Sequence, residues 1–162
     1  MCVLETVSHK LAVQAGGLQR GGSGGRPELS PSDLAAMLSG LPAGAVQLAY
    51  AKLAHDPAAA RLLYAALHRE AADLARAERW EVPRGSHWLR RLALLVRDDL
   101  LLPRAALGRA QAAAWMSEVL PMSERQWRQA WSGHHARLLN VGLDWECQLR
   151  RQLGRQIYGG RV

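Results

Sequence analysis

The 162-residue chain contains no phenylalanine, two cysteines and two lysines. The cysteines, Cys2 and Cys147, lie far apart and without metal-ligand spacing, which argues against a disulfide framework or a zinc site. Apolar runs such as LALLV at 92–96 are too short to cross a membrane, and no basic start precedes a long apolar core at the N-terminus. We therefore expect a cytoplasmic protein with no membrane segment, no metal and no other cofactor.

Alanine and leucine supply most of the hydrophobic content, which is 49% of the chain. Both residues favour helix, and no segment shows a convincing strand pattern, so the sequence predicts an all-α fold. The length suits one compact helical domain with an arm. We predict a flexible Gly-rich N-terminal arm or linker over 1–29, a neutral helical region over 30–83 and a basic region over 84–162.

The neutral region predicts three consecutive helices. Ser32 caps a short first helix, Pro42 opens the second, and Asp56 caps the third with Pro57 at its first position. Two stripes are predicted on the third helix. The apolar stripe comprises Leu62, Leu63, Leu67 and Leu74, and the solvated mixed-sign face comprises Arg69, Glu70, Asp73 and Arg76.

Charge divides the chain into two unlike parts. Residues 1–83 hold eight basic and eight acidic side chains, whereas residues 84–162 hold thirteen arginines and six acids, so the net charge of +7 lies in the second part. Such asymmetry is typical of a protein that binds a polyanion, most often nucleic acid. A basic face that is merely solvated is the alternative.

The stretch AQAAAWMSEVLPMSERQWRQAW, residues 110–131, predicts a helix-turn-helix. Small alanines let the first helix cross the second closely, and Pro121 breaks the pattern between them. Ser123 and Gln126 fit a capping box at the start of the second helix, which is predicted to reach about Ile157. Its predicted apolar stripe comprises Trp127, Trp131, Leu138, Val141, Trp145, Leu149 and Leu153. An ordinary helix hairpin is the alternative.

The opposite face of this second helix predicts a DNA-reading surface. Arg125, Arg128, Gln129 and Ser132 follow the spacing i, i+3, i+4, i+7, and arginine and glutamine pair with guanine and adenine in the major groove. Arg104 and Arg109 of the preceding helix suit phosphate contacts. The predicted DNA-binding residues are Arg104, Arg109, Ser123, Arg125, Arg128, Gln129, Ser132 and His135, the last as a phosphate contact.

Adjacent pairs of polar residues do not predict a catalytic or metal site. His134 and His135, like Asp98 and Asp99, occupy neighbouring helix positions whose side chains diverge. We interpret the aspartates as solvated surface. The sequence shows no Ser/His/Asp set and no phosphate-cradling loop, so we expect the protein not to be an enzyme.

With QAAAWMSEVLPMSERQWRQAW in its second half, the basic helical chain resembles the Q-type transcription antitermination factors of phages and prophage-derived lysis programmes, over about residues 30–155. The resemblance implies binding to duplex DNA near a promoter, engagement of bacterial RNA polymerase and read-through of terminators. Only the helix-turn-helix, 104–132, is carried over from the family. A conventional repressor or activator, or a helical adaptor that binds only protein, remains an alternative, and the oligomeric state stays open.

Overall fold

The computed structural model describes residues 31–82, 87–102, 125 and 127–158, and this part of the chain contains helices and no strand. The prediction of an all-α fold is confirmed for these residues. The described helices are α1 (Pro31–Met37), α2 (Ala43–Leu53), α3 (Pro57–Ala77), α4 (His87–Leu101) and α5 (Ser132–Tyr158), the last entered through a π-helical turn (Trp127–Trp131).

The start of α3 follows from its local sequence, as predicted. The carboxylate of Asp56 accepts a hydrogen bond of 2.8 Å from the backbone N–H of Ala58, and Pro57 occupies the first helical position. This arrangement satisfies one of the amides that the first turn of any helix leaves without an intrahelical partner. Asp56 therefore fixes where the chain turns from α2 into α3.

The apolar stripe of α3 repeats every four residues and faces the centre of the fold. Ala59, Leu63, Leu67 and Ala71 are buried, whereas Leu62 is 55% exposed. The prediction that Leu62 belongs to the stripe is wrong, because it precedes Leu63 by one position and so points about 100° away from it. Its exposed side chain lies beside the solvated face instead.

Two apolar clusters hold the helices together, and both include residues from the neutral and the basic parts of the chain. The larger joins α2, α3 and α4 to the π turn and α5, and the smaller joins α1 and α2 to the second half of α5. Buried members of the larger cluster include Leu48, Leu63, Leu67, Leu92, Val96, Trp131, Leu138 and Trp145. Those of the smaller include Leu34, Leu38, Leu53, Leu149 and Leu153.

Helix α5 approaches its neighbours closely at two glycines. A Cβ atom placed on Gly44 of α2 would lie 2.4 Å from the Trp145 ring, and one on Gly142 of α5 would lie 2.4 Å from Leu100 Cδ1. The absence of a side chain at each position thus lets an aromatic ring or a leucine fill the space against the backbone. These contacts fix the position of α5 against α2 and α4.

The long final helix is present as predicted, but it is not uniformly α-helical. Its apolar stripe is confirmed at five buried residues, Trp131, Leu138, Trp145, Leu149 and Leu153, and Trp127 and Val141 are half-buried. The π turn over Trp127–Trp131 was not predicted, because heptad-like spacing of apolar residues does not reveal a single widened turn.

Candidate nucleic-acid interface

The structure describes five of the eight predicted DNA-binding residues. Arg125, Arg128 and Gln129 are exposed at the entrance to α5, whereas Ser132 is half-buried and His135 is buried. The remaining three, Arg104, Arg109 and Ser123, lie outside the described residues, as do the first helix of the predicted helix-turn-helix, the turn and the predicted arm over 1–29.

The π turn changes how the exposed residues are arranged. In a uniform α-helix Arg128, three positions before Trp131, would lie about 60° around the axis from that buried ring, close to the apolar stripe. The wider π turn increases this angle, and within it Trp131 is buried and Trp127 half-buried, while Arg128 and Gln129 are exposed. Single π turns within α-helices occur frequently at functional sites.

Ser132 contacts the backbone in this arrangement. Its Oγ donates a hydrogen bond of 3.1 Å to the carbonyl oxygen of Arg128. The hydroxyl thus gives a hydrogen-bond donor to a carbonyl oxygen of the π turn, near the point where i→i+5 bonding changes to α-helical bonding. The hydroxyl proton of Ser132 is therefore used within the turn, and Ser132 as a DNA contact stays a prediction.

Aromatic packing anchors the inner side of the π turn. The Trp131 ring stacks on Trp88 of α4 with centroids 5.5 Å apart, and Trp127 meets the edge of His135 at 5.4 Å. Offset and edge-to-face pairs at these distances are favourable. The exposed Arg128 and Gln129 are therefore carried on a turn whose inner side chains pack against α4 and α5.

His135 belongs to the core and does not reach a phosphate. The residue is only 6% exposed, and its Nε2 lies 2.7 Å from Oδ2 of Asp99, which is itself 8% exposed. The predictions of His135 as a phosphate contact and of Asp99 as solvated surface are corrected together, because each side chain buries the other's polar atoms between α4 and α5.

The apolar register could have revealed this pair. Asp99 follows Leu95 by four positions and Val96 by three, and His135 lies between Trp131 and Leu138 at the same helical spacing. Both residues thus fall on the buried stripe of their helix. Buried polar groups require partners, so a polar residue on the buried stripe of one helix predicts a polar partner on the facing helix.

A second ionic cluster ties the middle of α5 to α2. Glu146 accepts hydrogen bonds from Lys52 Nζ at 3.0 Å and from Arg150 at 2.7 Å. Burial alone would raise the pKa of the Glu146 carboxyl, but the hydrogen bonds and positive charges of Arg150 and Lys52 outweigh burial and hold it below its usual value. The carboxylate is thus kept ionised at neutral pH.

A third set of contacts joins the end of α3 to the start of α5. The guanidinium of Arg137 donates to Glu78, and the indole N–H of Trp80 donates to the same carboxylate at 2.9 Å. Trp80 also stacks on His134 with ring centroids 4.1 Å apart. Partial burial lowers the pKa of the His134 imidazole, which favours its neutral form at physiological pH.

A groove of about 520 Å³ lies between Asp99 and the cluster formed by Lys52, Glu146 and Arg150. Leu100, Leu139 and Leu143 provide its apolar surface, and Lys52, Asp99, Glu146 and Arg150 provide its polar surface. The two cations and two carboxylates balance, so the groove does not favour a ligand of either sign. Within the described ranges, no group of three or more histidines, cysteines or carboxylates could hold a metal ion.

None of the helices in the described part of the chain has the length and apolar character needed to span a membrane. Comparison of the chain with family models, with curated proteins and with solved structures found no match.

Proposed function

We propose that the chain is a sequence-specific DNA-binding transcription antitermination factor. The observation that carries the DNA-binding part is the division of the entrance to α5 into two sides. Arg125, Arg128 and Gln129 are exposed on one side, while Trp131 is buried on the other. Long hydrogen-bond donors near the start of a core-anchored helix are what reading of base edges in the major groove requires.

Charge supports the same partner. The described residues of the basic part hold nine arginines and four carboxylates: Arg90, Arg91, Arg97, Arg125, Arg128, Arg137, Arg150, Arg151 and Arg155 against Asp98, Asp99, Asp144 and Glu146. Two of these carboxylates, Asp99 and Glu146, are buried and bonded to other side chains. Nine arginines against four carboxylates leave this part of the chain with a net positive charge, which favours a phosphate backbone.

Antitermination rests on the resemblance of residues 111–131 to the Q-type factors. Under this proposal the factor binds a DNA element near a promoter and engages bacterial RNA polymerase. The neutral region over 30–83 then has two roles, since its buried faces support α5 and its outer face meets a protein. The mixed-sign outer face of α3, with an exposed ion pair between Arg76 and Asp73, suits the rim of such an interface.

Substitution of the exposed donors tests DNA reading. Arg128→Ala and Gln129→Ala should each lower discrimination between the selected site and scrambled DNA by about 1–3 kcal/mol, because each removes one bidentate base contact. The site is selected from a randomised duplex pool, and affinities are measured by fluorescence anisotropy at fixed salt.

Two controls accompany this test. Arg69→Ala, an exposed arginine of α3, should leave both affinities unchanged. Arg104→Ala and Arg109→Ala, the predicted phosphate contacts, should weaken both duplexes alike. Equal behaviour of all these variants would show that the start of α5 does not read bases.

A further inference from the structure

A second set of polar residues lies near the C-terminal end of α5, far from Arg125, Arg128 and Gln129. Gln148, Arg151, Gln152 and Arg155 follow the spacing i, i+3, i+4, i+7, which places them on one side of the helix. Gln148, Arg151 and Arg155 are exposed and Gln152 is half-buried. This set, called the distal flank below, combines the same side-chain types as Arg125, Arg128 and Gln129.

Charge around the distal flank is largely of one sign. Residues 147–155 contain three arginines and no acid. Arg150 is bonded to Glu146, whereas Arg151 and Arg155 take part in none of the ion pairs found among the described residues. The nearest exposed acid on the same flank is Asp144, one turn before Gln148.

Stabilisation of the helix end explains only part of this pattern. The helix macrodipole favours cations in the last turn, where Arg155 lies, and its effect falls off beyond that turn. Arg151 and Gln148 lie one and two turns earlier. Long polar side chains there gain little from the dipole, and together with Arg155 they form an exposed cationic surface that an anionic ligand could contact.

Gln129 and the distal flank lie on one side of the helix, with Arg128 about 80° around the axis from Gln129. Gln129 and Arg151 lie on nearly the same side if the chain advances by about 100° per residue in the α-helix and by about 80° in the π turn. Their separation along the axis is about 33 Å at about 1.5 Å per residue. One turn of duplex DNA is about 34 Å, so Gln129 and Arg151 can both face one duplex when α5 runs alongside the DNA axis.

We propose that Gln148, Arg151 and Arg155 bind the phosphate backbone of duplex DNA about one helical turn from the bases read by Arg128 and Gln129. This inference rests on the proposed function, and it assigns a second contact region to the DNA-bound protein. The second contact adds affinity and salt dependence without adding base discrimination, because phosphates carry no sequence information.

A series of duplex lengths tests the second contact. Two duplexes are centred on the selected site, one of about one turn and one of about three turns. The wild-type chain should bind the longer duplex about tenfold more tightly. The double variant Arg151→Gln/Arg155→Gln should lose that gain, and its salt slope on the longer duplex should fall by about 2, because each phosphate that an arginine neutralises contributes about 0.9. Its discrimination between sites should stay unchanged.

The matched control is Arg69→Gln/Arg76→Gln, which removes the same charge from exposed positions on α3. If the distal variant behaves like this control while the wild type binds DNA, the second contact is wrong and the proposed function stands. If the wild type binds no duplex, both fail. If the double variant Arg151→Gln/Arg155→Gln loses affinity only for a single-stranded RNA of matched length, the distal flank binds RNA and the proposal is overturned.

Discussion

His135→Ala is expected to lower the free energy of unfolding by about 3–5 kcal/mol, because it leaves the buried Asp99 carboxylate without the imidazole that faces it. The side chains of His135 and Asp99 are 8% and 7% exposed, and their polar atoms lie 2.7 Å apart. Removing one member of a buried pair exposes the desolvation cost of the other. Urea unfolding at neutral pH, followed by circular dichroism, measures the change.

The matched control is the exposed pair of Arg76 and Asp73 on α3. Arg76→Ala should cost about 0–1 kcal/mol, since water replaces a surface partner at little cost. The double variant Asp99→Leu/His135→Leu should be more stable than His135→Ala, because it removes both polar groups together. A loss below about 1 kcal/mol for His135→Ala would contradict the buried position of this pair.

Gly44→Ala is expected to destabilise the protein by about 1–3 kcal/mol through overpacking. The new Cβ would lie 2.4 Å from two ring atoms of Trp145 and 2.5 Å from a third. A rigid indole packed between helices cannot move aside as the end of a leucine can. Gly142→Ala should therefore cost less, because its nearest neighbour is the flexible end of Leu100.

Gly133→Ala and Gly154→Ala provide the reference for this substitution. Both glycines lie in α5, and a Cβ added at either would have no atom within 4 Å, so alanine should stabilise the helix by up to about 1 kcal/mol. The difference between Gly44→Ala and Gly133→Ala should thus reach about 2–4 kcal/mol. Equal effects would show that α2 and α5 do not approach as closely as described.

Periodicity and caps predicted much of the helical fold. The stripe of α5 from Trp131 to Leu153 and the cap at Asp56 are confirmed, because each depends on residues close together in the chain. Leu62 is misassigned, since the six consecutive apolar residues LLYAAL at 62–67 of α3 leave the phase of a stripe open by one position. The π turn is missed because a one-residue insertion in the hydrogen-bond ladder leaves no apolar signature.

The candidate site was also predicted only in part from the sequence. Exposure of Arg125, Arg128 and Gln129 agrees with the sequence prediction, whose functional meaning stays a proposal. His135 and Asp99 were misread because each was judged by its neighbour in sequence. The apolar register of each helix indicates burial of both residues, whereas their contact across 36 positions depends on how α4 packs against α5.

Transcription past a terminator tests the central claim most directly. Purified chain is added to bacterial RNA polymerase on two templates, one with the selected DNA site near the promoter and one without it. We expect full-length transcript to increase several-fold on the first template only, and Arg128→Ala/Gln129→Ala to abolish the increase. Reduced initiation with unchanged termination would instead identify a repressor, and no effect on either template would contradict antitermination by this chain.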